Sequence, residues 1–309
     1  MKTVFIDGSA GTTGLRIYER LSAREDIKIL TLGEEKRKDT AARKEMLNSV
    51  DIAFLCLPDD AAREAVAMVE NPAVTVIDAS TAHRTLPDWA YGFPELSPLH
   101  EQKLLESKRI AVPGCHASGF IALTYPLVEA GLLKPDALLT CHSITGYSGG
   151  GKKMIAQYEE ENRSPLLGAP RQYALGQQHK HLKEMKAITG LNNAPIFCPI
   201  VSNFYSGMTV TVPVFANMLQ GGNIHDIKAL YAEKYTGEIV KYTETLDDEG
   251  FISGAALSGK DSMRISVLGN DERLLLIAGY DNLGKGASGA AVECMNMVMG
   301  VEKTTGLEL

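Results

Sequence analysis

The stretch KTVFIDGSAGTTGLRIYERL, residues 2–21, decides how the rest of the chain is read. Thr3–Ile6 is a short apolar run that predicts a strand. DGSAGTTG follows, and LRIYERLSA then sets Leu15, Tyr18 and Leu21 at helical spacing. Strand, glycine turn and helix in this order open a βαβ unit. Glycines in such a turn let the backbone approach a pyrophosphate, and the helix start supplies N–H groups and positive potential. The spacing is GxxGxxG rather than GxGxxG, and a lone glycine motif is weak. Its position in the first βα turn gives it weight. Gly8, Ser9, Ala10, Gly11, Thr12, Thr13 and Gly14 are the candidate cofactor loop.

Outward from this stretch, strands and helices alternate. Ile27–Leu32 reads as a second strand and Lys36–Asn48 as a polar helix. Ile52–Leu57 is a continuous apolar run, the pattern of a strand covered on both faces. Ala61–Val69 is helical, and Val74–Asp78 and Arg109–Val112 are strands. This alternation predicts right-handed crossovers and a parallel, doubly wound sheet. After residue 115 the texture changes. A helix over 116–130, with a kink expected about Pro126, leads to a strand-like run at Ala137–Thr145. A Gly-, Pro- and Gln-rich segment follows (146–178). Ile196–Val201, Met208–Pro213, Arg264–Leu268 and Leu274–Tyr280 then predict a second, mixed or antiparallel sheet. The small-residue helix in GKGASGAAVECMNMVMG places Val292, Met295 and Met299 on one face. The expected division is 1–115 with 285–309, and 116–284.

Composition narrows the classes. The chain has 309 residues, 45% hydrophobic and 22% charged, which suits a soluble globular protein of one large or two ordinary domains. A net charge of −7 argues against general nucleic-acid binding. No apolar run approaches the roughly 20 residues of a membrane span, and MKTVFIDGSAG does not resemble a signal peptide. The 5 cysteines lack CxxC spacing, which suits a reducing compartment, so cytoplasm is expected.

Cys115 follows Pro113-Gly114 and precedes the apolar helix. At a helix start a thiolate is favoured by the dipole and the unpaired N–H groups, which makes Cys115 a candidate nucleophile. Cys56, Cys141, Cys198 and Cys294 read as packing. QQHKHLKEM (177–185) offers His179 and His181 as proton partners. On a helix, Glu184 would share a face with His181 and could orient its imidazole. No standard zinc spacing is present, and no metal is expected. In ASTAHR (79–84), Ser80 is a candidate cofactor contact and Arg84 a candidate holder of an anionic substrate group. Gly146-Tyr147-Ser148-Gly149-Gly150 matches GxSxG, so a serine hydrolase using Ser148 is a rival reading. The same SGGGK, with Lys152, also suits an anion-binding nest. After the second strand, Glu34-Glu35 favours NAD and Lys36-Arg37-Lys38 a 2′-phosphate, so the residues alone leave NAD or NADP open.

GSAGTTG, EEKRKD, DASTAHR, YGFPEL, PGCHASG, GYSGGGK, HKHLKE and YDNLGKGASGAA together resemble the shorter form of the N-acetyl-γ-glutamyl-phosphate reductases, over nearly the whole chain. The resemblance implies a Rossmann domain with NADP and a second, α+β substrate and dimerisation domain of the semialdehyde-dehydrogenase type. It places the family's cysteine on Cys115 and its histidines on His179 and His181. It tips Arg37 and Lys38 towards the 2′-phosphate and puts Asn282 near the nicotinamide. It implies a Cys115 thioester, with Arg84, Ser148 and Lys152 on the substrate side, and a homodimer or homotetramer. The family usually has PGCYP where this chain has PGCHA, and its longer members have DFR where this chain has AHR, so the role of His116 and other details of substrate recognition stay open. Related acyl-phosphate reductases acting on aspartyl or aminoadipyl substrates, and a non-enzymatic redox sensor using Cys115, are further alternatives.

Overall fold

The computed structural model describes residues 1–246 and 248–309. It divides into two compact units, one of Met1–Pro113 with Ala287–Leu307, the other of Gly114–Gly286 with the last two residues. Each is described in turn.

The first unit runs β1 (Lys2–Asp7), α1 (Thr12–Ser22), β2 (Ile27–Leu30), α2 (Thr40–Ser49), β3 (Ile52–Leu55), α3 (Asp59–Met68), β4 (Thr75–Asp78), β5 (Ala90–Tyr91), α4 (Pro98–Glu106) and β6 (Arg109–Ala111). Its six strands are ordered β2-β1-β3-β4-β6-β5, all in parallel pairs. All four residues of β3 and all four of β4 are buried, as strands covered on both faces must be. The chain turns one way from β1 to β2 and the other way from β3 onward. The crevice between the carboxyl ends of β1 and β3 is therefore the topological switch point, where open α/β sheets take ligands.

Two details differ from the sequence reading. In α1 the buried stripe is Gly14, Ile17 and Leu21, while Leu15 and Tyr18 are exposed. Gly14 packs so closely on the loop that a Cβ would lie 2.5 Å from the Gly8 carbonyl oxygen, and this fixes which face turns inward. Helix α2 starts at Thr40 because the Asp39 side chain caps it, accepting from Ala42 N at 2.7 Å. Lys36–Lys38 therefore belong to the turn before it.

The second unit runs α5 (Cys115–Glu129), β7 (Thr140–Gly146), α6 (Gly151–Glu159), β8 (Arg171–Gln172), α7 (His181–Thr189), β9 (Ile196–Ser202), β10 (Met208–Phe215), α8 (Ile224–Lys234), β11 (Val240–Tyr242), β12 (Met263–Gly269) and β13 (Arg273–Tyr280). The chain then returns to the first unit as α9 (Gly289–Met299), which is buried on all sides from Gly289 to Met297 rather than along one stripe. The seven strands of the second sheet are ordered β11-β12-β13-β10-β7-β9-β8. The sheet is mixed, with β7–β9 and β11–β12 parallel.

Helix α5 packs against β10, β13 and α7. Pro126 lies inside it and the helix runs on to Glu129. Proline has no N–H, so the Ala122 carbonyl lacks its usual helical donor. The Tyr235 hydroxyl donates to Ala122 O at 2.7 Å, and the Tyr231 hydroxyl donates to Leu123 O. The two phenols, from α8 and its end, thus serve the carbonyl that the proline leaves without a donor and the one next to it, in surroundings that exclude water.

Candidate active site

The first unit holds a cavity of about 380 Å³ at its switch point. Asp7, Gly8, Ser9, Ala10 and Gly11 form one wall, and Cys56, Leu57 and Pro58 after β3 another. Gly8 has φ +87°, and a Cβ there would meet the Cys56 carbonyl oxygen at 2.3 Å. Only glycine allows the loop to settle on the end of β3 in this conformation. Among the described residues no side chain caps the start of α1 at Thr12. Arg37 and Lys38 line the cavity, as does Arg43, whose guanidinium holds Asp7 at 2.8 Å. Uncapped helix N–H groups below and guanidinium and ammonium groups above suit a dinucleotide with an extra phosphate. The donor set fits NADP.

Ser80 and Arg84 belong to the loop after β4. Ser80 N and Oγ both donate to the buried Asp78 carboxylate, at 2.9 and 2.6 Å. His83 Nδ1 meets the same carboxylate at 2.6 Å, and its ring stacks on Trp89. Arg84 is buried, donating from Nε to Val112 O at 2.8 Å and from Nη2 to Ala79 O at 3.0 Å. The loop is thus held by its own polar groups.

In the second unit, Cys115 is the first residue of α5 and is partly exposed. It opens onto a cavity of about 270 Å³ shared with His116, Tyr173, His179 and His181. The three imidazoles lie close together, with ring centres 4.6 Å apart for His179 and His181, 5.7 Å for His116 and His179, and 5.6 Å for His116 and His181. His181 is the first residue of α7, and its backbone N–H donates to His179 Nδ1 at 3.2 Å. That bond leaves a neutral His179 with its proton on Nε2. Glu184 is buried, and its Oε1 accepts from the Gly114 N–H at 2.8 Å. The carboxylate therefore ties α7 to the residue that caps the cysteine's helix.

Beside the cysteine, His116 Nδ1 meets Ser143 Oγ at 2.6 Å and Nε2 meets the Tyr173 hydroxyl at 2.7 Å. Burial first, and His179 second, lower its pKa to about 3, so it stays neutral. The Tyr173 phenol is pushed well above its ordinary range by burial and then by the neighbouring Cys115. By contrast, burial drives the thiols of Cys56 and Cys141 far up, out of reach as nucleophiles at neutral pH. Ser148 is buried in a 3₁₀ turn, and its Oγ accepts from Asn282 Nδ2 at 3.0 Å. An amide is no general base, so this contact does not build a hydrolase elbow. Asn282 also accepts from Gly207 N at 2.9 Å. Lys152 is exposed on α6, outside the cavity lining.

Residues 3–104 match the family described as "Semialdehyde dehydrogenase, NAD binding domain", and residues 115–282 match "Semialdehyde dehydrogenase, dimerisation domain". The N-acetyl-gamma-glutamyl-phosphate reductase 2 of Nostoc sp. is 42% identical, over 98% of this chain and 98% of that one. The N-acetyl-gamma-glutamyl-phosphate reductase of Sinorhizobium medicae is 44% identical over 96% of this chain and 98% of that one. The chain belongs to the semialdehyde dehydrogenase family, in its N-acetyl-γ-glutamyl-phosphate reductase branch. Its fold is also that of the aspartate semialdehyde dehydrogenase II of Vibrio cholerae, with a TM-score of 0.73 at 17% identity over 97% and 98% of the two chains. No helix among the described residues is long and apolar enough to cross a membrane.

Sequence reasoning did not reach Tyr173, Ser143 or Lys180, which the structure places in or beside this family member's cysteine cavity. Lys180 lay in view as the middle of HKH. Tyr173 had no local signal, because its place depends on β8 pairing with β9.

Proposed function

We propose that the chain reduces N-acetyl-γ-glutamyl phosphate to N-acetylglutamate 5-semialdehyde and phosphate with NADPH, a step of arginine biosynthesis in the cytoplasm. The observation that carries this reading is Cys115 at the first position of α5, facing His179 and His181 across one cavity, in a chain with this family's sequence. The N–H groups of the first turn favour the thiolate. An imidazole of the His179–His181 pair takes the thiol proton. The sulfur attacks the γ-carbonyl carbon, a C–S bond forms, and the C–O bond to phosphate breaks. The imidazolium returns the proton to the departing phosphate. NADPH, when bound, supplies hydride to the thioester carbon. Collapse of the resulting oxyanion releases the semialdehyde and restores the thiolate.

Gly8–Gly14 and the start of α1 hold the pyrophosphate, and Arg37 and Lys38 the 2′-phosphate. Lys152 offers an exposed ammonium to the substrate's anionic groups. Arg84, Ser80, Ser148 and Asn282 act by holding the loops that border the ligands, a reading that their main-chain and side-chain bonds support. Copies of the chain pair through the open face of the second sheet, where Ile144, Ile196, Phe215 and Leu275 are exposed on alternating positions of four strands. The partners are small molecules and further copies of the chain, with no nucleic acid or membrane.

The test is phosphate-dependent reduction of NADP⁺ by N-acetylglutamate semialdehyde. Cys115→Ala should lower turnover by on the order of 10⁴-fold or more while NADPH still binds, and iodoacetamide should abolish wild-type activity. Near-wild-type turnover in Cys115→Ala would sink the reading. Preference for aspartyl phosphate in the same assay would replace the substrate, and sensitivity to a fluorophosphonate would favour Ser148.

A further inference from the structure

Cys115 O and Gly119 N are the acceptor and donor of the second i→i−4 rung of α5, the first running from Ser118 N to Gly114 O at 2.8 Å. The hydroxyl of Tyr280, at the end of β13, bridges them. It accepts from Gly119 N at 3.0 Å and donates to Cys115 O at 2.5 Å. Tyr280 is fully buried. The room for it comes from a missing side chain. A Cβ on Gly119 would lie 2.7 Å from the Tyr280 hydroxyl and 2.7 Å from Val210 Cγ2. A strand-end phenol and a helical glycine are thus fitted to each other one turn from the nucleophile.

From this bridge we propose that Tyr280 is a positioning residue for the Cys115 thiolate, acting through the cysteine's own main chain. The peptide unit joining Cys115 to His116 carries the carbonyl that the phenol holds. Its other end is the His116 N–H, one of the first-turn donors that favour a thiolate. Fixing the carbonyl fixes the direction of that N–H. Donation to the carbonyl also polarises the peptide, which strengthens the N–H as a donor. Without the hydroxyl that peptide loses the side-chain contact that holds its direction. The phenol is suited to permanent service as a donor. Burial, and then the neighbouring Cys115, raise its pKa well above the ordinary range, so it keeps its proton wherever the thiolate exists.

The inference deepens the assignment of Cys115 as nucleophile, and its test reads the thiol without any substrate. The rate of iodoacetamide alkylation of Cys115 is measured from pH 5 to 10 in the full-length wild type, Tyr280→Phe and Gly119→Ala, with Cys115→Ala as the blank. Melting temperatures show that each variant is folded. Tyr280→Phe should alkylate about tenfold more slowly at pH 7, its profile moved up by about one pH unit, and kcat for the reductase should fall with the KM for NADPH unchanged. Gly119→Ala should give the same shifted profile, because its methyl group expels the hydroxyl. A profile unchanged in Tyr280→Phe, with only a lower melting temperature, would overturn the proposal and leave the tyrosine as packing. Where Gly119→Ala does not fold, Tyr280→Phe decides alone. Loss of reductase turnover in the wild type, with the alkylation shift intact, would count against the substrate reading and not against this one.

Discussion

His116 couples the stability of the second unit to pH in a way that can be calculated. Its imidazole is 3% exposed and bonded at both nitrogens, to Ser143 and Tyr173. Its pKa in the folded chain is about 3, against an ordinary value of about 6.5. Below pH 6.5 the unfolded chain binds a proton that the folded chain refuses. Stability therefore falls as pH falls from about 6.5 towards 3, and rises with pH through the same window. Each pH unit in that window is worth about 1.4 kcal/mol, so at pH 5 the penalty is about 2 kcal/mol relative to neutral pH. His116→Asn keeps a polar group at the site and removes the titration. It should be less stable than the wild type at pH 7, for lost hydrogen bonds, but flatter in its pH dependence. Amide exchange of peptides from α5 reports opening of this unit directly. Between pH 7 and pH 5 the opening free energy should drop about 2 kcal/mol further in the wild type than in His116→Asn. A difference under about 0.5 kcal/mol would mean that His116 protonates within the folded chain, and the reasoning from burial would be wrong.

Other perturbations follow from contacts already described. Arg37→Ala with Lys38→Ala should raise the KM for NADPH by roughly tenfold or more and leave that for NADH nearly unchanged, since a charge-assisted phosphate contact is worth about 1.5–3 kcal/mol and Arg37 is partly exposed. Steady-state kinetics with both cofactors check this, and an equal loss for both would remove the two residues from the 2′-phosphate. Tyr235→Phe leaves the buried Ala122 carbonyl without its hydroxyl donor and should cost about 1–3 kcal/mol of stability in urea unfolding. In a Pro126→Ala background the restored N–H can serve that carbonyl, so the same change should cost at least about 1 kcal/mol less; additive effects in this cycle would show that the proline and the phenol are unrelated.

What could be read from the sequence was what is local. The run Ile52–Leu57, the glycine turn after β1 and the cysteine after Pro113-Gly114 each carry their signal within a few residues: β3 takes the first four residues of the run, the turn lines the cavity at the end of β1, and the cysteine starts α5. The two-residue strand β5 carries no pattern of its own, because its existence is a pairing with β6. Helix-forming lysines and an arginine precede the Asp39 cap, so propensity extends the expected α2 back to Lys36, whereas capping starts it at Thr40. Leu15 and Tyr18 fit helical spacing as well as Ile17 and Leu21 do. The close seat of Gly14 on the loop, a tertiary fact, chooses between the two faces. In the site, His179 and His181 are visible as a motif, but the bond of Glu184 to Gly114 joins residues 70 apart in sequence.

Helix α5 explains why so much of the site lies beyond local pattern. It is buried from His116 to Thr124, so no water can repair a defect in its hydrogen bonding. Yet it has two places that need outside partners, a first turn whose N–H groups have no helical acceptor and a proline in its last turn. Side chains from elsewhere repair both ends. Glu184 of α7 accepts from the capping residue's N–H, Tyr280 of β13 bridges Cys115 O and Gly119 N, and Tyr231 and Tyr235 donate to Leu123 O and Ala122 O. The groups come from three parts of the unit, at sequence separations from 70 to 165. The helix can be bonded in this way only when α7, α8 and β13 are all in place. The direction of the Cys115 main chain is therefore a property of the assembled second unit, and changes far from the cysteine in sequence should register in its thiol chemistry before they register in the overall fold.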